Sequence, residues 1–131
     1  MQSWYDGLNK PKLTPPNKVF WPVWSTLYVL IAIALIVYFR TPVKPHATTV
    51  LVILAAHFLA GFSWTSIFFG KKKILAALID LLFMDATLAA IIVFFANTNP
   101  LAAALLAPYF CWSLLATWLN FGIWRLNPGK R

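Results

Sequence analysis

The sequence has few of the residues from which metal sites and hydrolytic active sites are built. Among 131 residues, Asp and Glu together number three, His two and Cys one. The lone Cys111 cannot form an intrachain disulfide. Since only His57 lies in an apolar run, neither a bis-histidine haem site nor a zinc site can be assembled. Glycine-rich phosphate loops, nucleophile elbows and Ser-His-Asp sets are absent too. We therefore predict no metal, no required cofactor and no catalytic residue.

Long apolar runs, by contrast, make up most of the chain. Each of four runs is close to the roughly 20 residues that a helix needs to cross a bilayer. They are continuously apolar and do not alternate as transmembrane barrel strands do. The runs are 21–39, 47–69, 74–95 and 101–124. The sequence therefore predicts an all-α, multi-pass integral membrane protein in a lipid bilayer, with a four-helix transmembrane bundle as a single membrane domain over residues 1–131.

The chain has a net charge of +8, and all eleven of its Lys and Arg residues lie outside these runs, which predicts an orientation. With four crossings, residues 1–20, the second loop and the C-terminal tail share one side of the membrane. Nine basic residues lie on that side: Lys10, Lys12, Lys18, Lys71, Lys72, Lys73, Arg125, Lys130 and Arg131, against Arg40 and Lys44 on the other. Short loops rich in Lys and Arg stay in the cytoplasm. We expect both termini to be cytoplasmic, with residues 1–20 as a cytoplasmic cap, and no nucleic-acid partner, since no basic stripe is interleaved with aromatics.

Three ionisable residues lie inside the predicted helices: His57, Asp80 and Asp85. A central Asp costs about 2.5 to 3.5 kcal/mol on insertion scales, so each should face the bundle interior and be hydrogen-bonded or protonated. Five residues apart, the two Asp side chains differ in direction by about 140°, which excludes a joint general acid and base on one substrate atom. For Asp80 we favour a hydrogen bond to a neighbouring helix, while Asp85 fits that role and ligand contact equally. His57 is interpreted as a hydrogen-bonded interior residue, and all three remain candidate polar anchors for a ligand.

Aromatic residues form the most informative pattern. Seven tryptophans are present, of which Trp21 and Trp124 lie at predicted membrane edges, where indoles are favoured. One-face stripes at helical spacing occur on all four helices: Trp24 and Tyr28; Gly61 and Trp64; Ile79 and Phe83; Trp112, Ala116 and Asn120. These stripes are predicted to line one chamber for a flat, apolar ligand, beneath the cap that contains Trp4. An aromatic core packed against itself explains the same spacing equally well.

Small residues also recur at i, i+4 spacing, which lets helix backbones approach closely. The pairs are Ala56 with Ala60, Ala86 with Ala90, and Ala103 with Ala107. Ordinary alanine packing within one bundle and a homodimer seam are both compatible with this spacing.

The ordered set of motifs resembles the translocator protein family, also called tryptophan-rich sensory proteins. The resemblance covers essentially the whole chain. Its residues are Trp4-Tyr5, Leu8, Lys10-Pro11, Pro15-Pro16, Pro22-Val23-Trp24, Leu27-Tyr28, Trp64, Ile67-Phe68-Phe69-Gly70, Ala77 to Leu82, Pro108-Tyr109, Trp112, Ala116, Leu119-Asn120 and Trp124-Arg125.

This resemblance implies a helical bundle that often dimerises and binds porphyrins and other planar apolar ligands, and in vertebrates cholesterol and benzodiazepine-type drugs. By position, the implied pocket residues are Trp24, Trp64, Ile79, Phe83, Trp112, Ala116, Leu119 and Asn120. Three departures are visible. The four runs correspond to the last four of the family's five helices. Either the protein is a four-helix variant, in which one wall of the bundle is missing or comes from a partner, or the given start is too late. Gly61 replaces an asparagine, which removes a polar anchor. Phe121 replaces the Tyr of a weak sterol pattern, so cholesterol binding is not expected.

Two classes of function remain open. The first is a membrane-embedded binding and sensory protein for porphyrins, whose propionates would reach Lys10, Lys12 and Lys71 to Lys73, with light-dependent porphyrin degradation as an extension of the same site. The alternative is a small four-helix proton-coupled exporter that uses an intramembrane carboxylate such as Asp85. The long cap and the Trp-rich chamber favour binding over alternating access.

Overall fold

A computed structural model describes residues 2–11, 14–15, 17–42 and 44–130, and in these it contains helices and turns but no strand. The short helix α1 (Gln2–Asp6) precedes four long helices. These are α2 (Asn17–Arg40), α3 (Ala47–Thr65), α4 (Ile74–Thr98) and α5 (Pro100–Leu126). Each of the four predicted apolar runs coincides with a helix long and apolar enough to cross a membrane. The predicted all-α, four-helix membrane architecture is confirmed.

The connection between α4 and α5 is much tighter than the sequence suggests. The predicted loop over 97–100 shrinks to Asn99 alone, because α4 continues to Thr98 and α5 starts at Pro100. The Asn99 side chain accepts a hydrogen bond from the Leu101 amide at 3.1 Å, which caps α5, and Pro100 occupies a first-turn position where no amide is needed. The side-chain nitrogen Nδ2 of Asn99 also donates a hydrogen bond to Thr41 Oγ1 at 3.2 Å. One side chain thus joins the ends of α2, α4 and α5.

At the end of the bundle where the cap lies, α3 runs into a π-helical turn over Ser66–Gly70. The Lys71 amide donates to Ser66 O at 2.8 Å, and Lys73 N donates to Ile67 O at 3.1 Å, so the chain widens before it reverses. Lys72 adopts a left-handed φ of 56° in this reversal. Three exposed lysines, Lys71 to Lys73, therefore project from one edge of the bundle.

The four long helices pack in the order α3, α4, α5, α2, with α4 against both α3 and α5, and α5 against α2. Helices α2 and α3 stand at the two ends of this row and make at most marginal direct contact in the described part of the chain. At the end of the bundle opposite the cap, Tyr38 and Phe95 stack at 4.4 Å between ring centroids. Ala60 and Ala103 are buried within the chain, as expected for alanines that pack the bundle itself.

The cap is held against the ends of α3 and α5. Tyr5 and Leu8 are buried in a cluster with Phe68 of the π-helical turn and Ile123 of α5. Asn9 and Asn127 exchange two hydrogen bonds, from Asn9 N to Asn127 Oδ1 at 3.0 Å and from Asn127 Nδ2 to Asn9 O at 2.8 Å.

A close approach at Gly122 adds to this attachment. The Pro11 ring lies where a Cβ at Gly122 would be, so α5 needs glycine there for the cap to dock. The predicted cap thus packs across one end of the bundle, although Lys12 lies outside the described residues.

Candidate functional site

The inner face of α5 is the framework of the candidate site. Trp112, Ala116 and Asn120 follow each other at i, i+4 and i+8, so they lie on one helix face. At 1.5 Å per residue, Trp112 and Asn120 are about 12 Å apart along the helix axis. Aromatic groups from α2 and α3 meet the two ends of this face, which leaves the small Ala116 between them.

The first aromatic group joins α2 to α5. Trp24 lies perpendicular to Trp112, with ring centroids 6.2 Å apart, and Phe20 also contacts Trp112, at 5.7 Å between ring centroids. Trp24 and Trp112 are both only half-buried, although both pack against the main core. Part of each indole is therefore free to contact a ligand.

The second group joins α3 to α5 and to the start of α4. Trp64 stacks on Phe68 at 5.0 Å, with an angle of 16° between the ring planes. Its indole N–H donates to Asn120 Oδ1 at 3.0 Å, and Asn120 Nδ2 donates to Ile74 O at 3.1 Å. Asn120 is only 2% exposed, so its amide is engaged in bridging three helices. The predicted polar anchor is thus structural in this conformation.

The region between the two aromatic groups is lined by small and flexible side chains. Ala116 and Trp64 pack against a cluster of Ala60, Leu81 and Met84. A Cβ at Gly61 would meet Met84 Cε at 3.4 Å, which is ordinary van der Waals contact, so Gly61 leaves only a small gap. Leu119 is buried beside Asn120. These residues are where the sequence placed them, around one inner face.

Three predicted chamber residues are on the outside of the bundle. Ile79 is 61% exposed and Phe83 49%, because α4 buries the opposite face that carries Leu81 and Met84. Tyr28 is 57% exposed and touches only the rim of the first group, at 5.7 Å from Trp24. The stripe predicted for α4 is therefore corrected, and its two residues lie on the exposed outer face of that helix. Nearly every position of α4 is apolar, so spacing alone could not identify its buried face.

A polar layer crosses the bundle at mid-depth and contains two of the candidate polar anchors, His57 and Asp85. His57 on α3 is 1% exposed, and its Nε2 lies 2.8 Å from the Tyr109 hydroxyl of α5. Its Nδ1 lies 3.1 Å from Met84 O and 3.0 Å from Thr87 Oγ1 on α4. The interpretation of His57 as a hydrogen-bonded interior residue is confirmed.

The same layer holds Asp85. Ser113 and Thr117 each donate a hydroxyl hydrogen bond to it, one to each carboxylate oxygen. With Tyr109, these residues form an i, i+4, i+8 polar stripe on α5. That regular spacing in an otherwise apolar helix is a sequence signal that would have located the layer.

Asp80 behaves differently from Asp85. Its Oδ2 is buried without a hydrogen-bond partner among the residues that the structure describes. We predicted that Asp80 is hydrogen-bonded to a neighbouring helix, and no such bond is found at this oxygen. Asp80 also follows the outward-facing Ile79 in the sequence of α4.

Cations and aromatic rings meet in the cap. Trp4 packs edge-on against Phe68 at 5.3 Å, and Lys72 Nζ lies 5.9 Å from the Trp4 ring. Lys10 Nζ lies 4.5 Å from the ring of Tyr5. Burial, followed by the charge of Asp6, raises the pKa of Tyr5 above its usual value of 10.0. The rim above the second aromatic group is thus positively charged.

The fold and this face define a multi-pass α-helical membrane protein with half-buried indoles converging on one inner helix face. Comparison of the sequence assigns it further: the profile of the TspO/MBR family matches residues 1–125, and the chain belongs to that family. It is 36% identical over 130 residues to the human translocator protein, covering 98% of this chain and 77% of that protein. It is 36% identical over 128 residues to the tryptophan-rich protein TspO of Chlorobaculum tepidum (96% and 81% covered), and 33% identical over 130 residues to protein CrtK of Rhodobacter capsulatus (98% and 81%).

Proposed function

We propose that this chain is a membrane-embedded binding and sensory protein for porphyrins and similar planar apolar molecules. The ligand would lie against the inner face of α5, between Trp24 and Trp64. The observation that carries the proposal is the convergence of partly accessible indoles from α2, α3 and α5 on the two ends of a helix face that is small at its centre, at Ala116. The separation of about 12 Å along α5 suits a flat macrocycle better than a small solute. Family membership supports a sensory or translocator role.

The proposed ligand would reach this face between the two end helices. Because α2 and α3 make little direct contact, a ligand can approach α5 from the side or from beneath the cap. Flat rings gain affinity from offset or edge-on contacts with indoles and from the apolar area that they bury. A ligand would replace contacts that Ala116 now makes with the cluster of Ala60, Leu81 and Met84, and Met side chains adapt readily to such changes.

The charged rim would set the ligand's orientation. Propionates on a porphyrin edge are anionic, and the exposed amines of Lys71 to Lys73, with Lys10, lie at the cap end of the bundle. Lys12, predicted to belong to this rim, lies outside the described residues. Exposed ion pairs contribute roughly 0 to 1 kcal/mol each, so stacking supplies most of the affinity and charge selects the orientation.

The test is a titration of the detergent-purified protein with protoporphyrin, followed by porphyrin absorbance. Trp24→Ala and Trp112→Ala should each weaken binding by about 10- to 100-fold, the loss expected for one well-packed aromatic contact. Trp118→Ala is the matched control, since Trp118 lies on α5 but is 50% exposed on its outer side. If Trp24→Ala and Trp112→Ala bound protoporphyrin as tightly as the control Trp118→Ala, the proposed site would be refuted.

We propose as an extension that light promotes breakdown of the bound porphyrin, because Trp24 and Trp112 present electron-rich indoles in edge-to-face contact at the ligand wall. Porphyrin loss should be faster in illuminated complex than in illuminated free pigment, with none in the dark without oxygen. Equal loss with and without protein would leave a binding protein only.

We also propose that both termini are cytoplasmic, as the unequal distribution of basic residues indicates. In a Cys111→Ser background, Gly129→Cys and Pro42→Cys place single thiols at opposite ends of the bundle. A membrane-impermeant maleimide should label the Gly129→Cys thiol only in inside-out vesicles and the Pro42→Cys thiol only in right-side-out vesicles; the reverse pattern would invert the topology. The homodimer stays a prediction from the resemblance.

A further inference from the structure

The pairing of Tyr109 with His57 has no part in the wall proposed above. Both side chains are buried, 5% and 1% exposed, and the phenol oxygen lies 2.8 Å from Nε2 of the imidazole. The two rings are also edge-to-face, 5.6 Å between centroids. A phenol in hydrogen-bond contact with a nitrogen base, away from water, is an arrangement with its own chemistry.

The hydrogen bonds on the far side of the ring fix which nitrogen is basic. Met84 O can only accept a hydrogen bond, and it lies 3.1 Å from Nδ1, so Nδ1 carries the imidazole proton. Thr87 Oγ1 has one hydrogen, which it can donate to Phe83 O or Met84 O within α4, and it accepts from the same Nδ1. Nε2 is therefore the unprotonated nitrogen, and the Tyr109 O–H donates to it. The base is oriented towards the phenol by contacts that it makes elsewhere.

We propose that Tyr109 is a redox-active tyrosine and that His57 is the base that takes its proton. An oxidised phenol is a strong acid, so the electron can leave only if the proton leaves too. One electron passes from the phenol to a one-electron oxidant, the O–H bond breaks, and a new N–H bond forms at Nε2. The products are a neutral tyrosyl radical and an imidazolium that donates to Tyr109 on one side and to Met84 O on the other. Return of one electron to the radical, with the proton moving back from Nε2, restores the pair.

Aromatic contacts connect the pair to the proposed ligand wall. The Trp24 ring lies 6.5 Å from Tyr109, and Trp24 also contacts Trp112 at 6.2 Å and Tyr28 at 5.7 Å. An electron can move from Tyr109 to an oxidant beside Trp24 in short steps. In the protein the oxidant would be a light-excited planar aromatic ligand, and this part of the inference rests on the proposed function.

The chain contains its own comparison. Tyr38 is as deeply buried as Tyr109, but within the described residues its hydroxyl has no hydrogen-bond partner. It lacks a base to receive its proton, so it should resist oxidation. If the hydrogen bond to His57 only satisfied two buried polar groups, Tyr109 and Tyr38 would be equally resistant to oxidation.

The experiment uses a lipophilic ruthenium polypyridyl photo-oxidant in the detergent micelle, with persulfate as the final electron acceptor, and electron paramagnetic resonance as the readout. The wild-type protein should give a tyrosyl signal on illumination that is retained in Tyr38→Phe and lost in Tyr109→Phe. His57→Gln keeps a hydrogen-bond acceptor but not a base. It should slow radical formation by about 100-fold, at the low end of what a positioned general base contributes. In D₂O the wild-type rate should fall, because a proton moves with the electron.

The proposal would be overturned by a signal that persists in Tyr109→Phe, by a rate unchanged in D₂O, or by a rate unchanged in a folded His57→Gln variant. The D₂O measurement needs no variant, so it decides the matter even if His57→Gln folds poorly. A second illumination with protoporphyrin alone separates the two proposals. A radical with ruthenium and none with porphyrin supports the redox pair and refutes the porphyrin as its oxidant, whereas no radical with either refutes the pair.

Discussion

Replacing Asn120 with leucine tests the hydrogen bonds that hold the second aromatic group together. Leucine has the same number and branching of side-chain heavy atoms, so the change removes polarity with little change of shape. Asn120 is buried and bridges the Trp64 indole N–H and Ile74 O, at 3.0 and 3.1 Å. The substitution affects the two hydrogen-bond partners of Asn120 differently. Ile74 O has a second lone pair for the helical bond within α4, whereas the only donor of Trp64 is left without a partner.

The magnitude follows from that asymmetry. An interhelical hydrogen bond in a membrane protein is worth about 0.6 kcal/mol on average, and an orphaned buried donor costs about 1 to 3 kcal/mol. We therefore expect Asn120→Leu to lower the free energy of unfolding by about 2 kcal/mol. The assay is reversible unfolding in mixed detergent, followed by circular dichroism.

A double-mutant cycle isolates the contact. Trp64→Phe removes the donor but keeps an aromatic ring against Phe68. In that background, Asn120→Leu should cost about 1 kcal/mol less, since no donor is left to be orphaned. Additive losses would mean that the bond contributes nothing, and the bridging role assigned to Asn120 would be wrong.

Three further perturbations test the cap and the polar layer. Gly122→Ala places a Cβ where the Pro11 ring lies, so the cap should detach and be cleaved faster in limited proteolysis, while Gly129→Ala, which meets nothing within 4 Å, should not change the rate. Because burial raises the pKa of Tyr5 above 10.0, the neutral phenol stabilises the docked cap below pH 10 and this contribution is lost as the pH rises through the higher folded-state value. Proteolysis should therefore accelerate there, unless Tyr5→Phe removes the dependence. Asp85→Leu leaves two hydroxyls without their acceptor but able to bond backbone carbonyls, so unfolding should become easier by about 1 kcal/mol, and an abolished pH-driven efflux would instead support a proton-coupled exporter.

The sequence alone was sufficient for the membrane architecture, because apolar run length is set by bilayer thickness and not by packing. It was also sufficient for the inner face of α5, where Trp112, Ala116 and Asn120 contrast with their neighbours. It was insufficient for α4. There the apolar residues surround the helix, so only packing against α3 and α5 decides that Leu81 is buried and Ile79 is exposed. Hydrophobic periodicity identifies a buried face only where the other face is polar, and in lipid it is not.

Hydrogen bonding gives a better guide than hydrophobicity to the interior of such a bundle. Polar groups at membrane depth must be satisfied internally, so polar side chains at helical spacing mark the faces that meet. Applied to α5, this criterion selects the stripe that begins at Tyr109 and places it opposite His57 and Asp85, as the structure has it. On the same helix, Trp112 and Ala116 directly precede Ser113 and Thr117, so the aromatic stripe and the polar stripe lie next to each other. One helix therefore presents stacking surface and hydrogen-bonding groups side by side, and a ligand held on the first is within a few ångströms of the second.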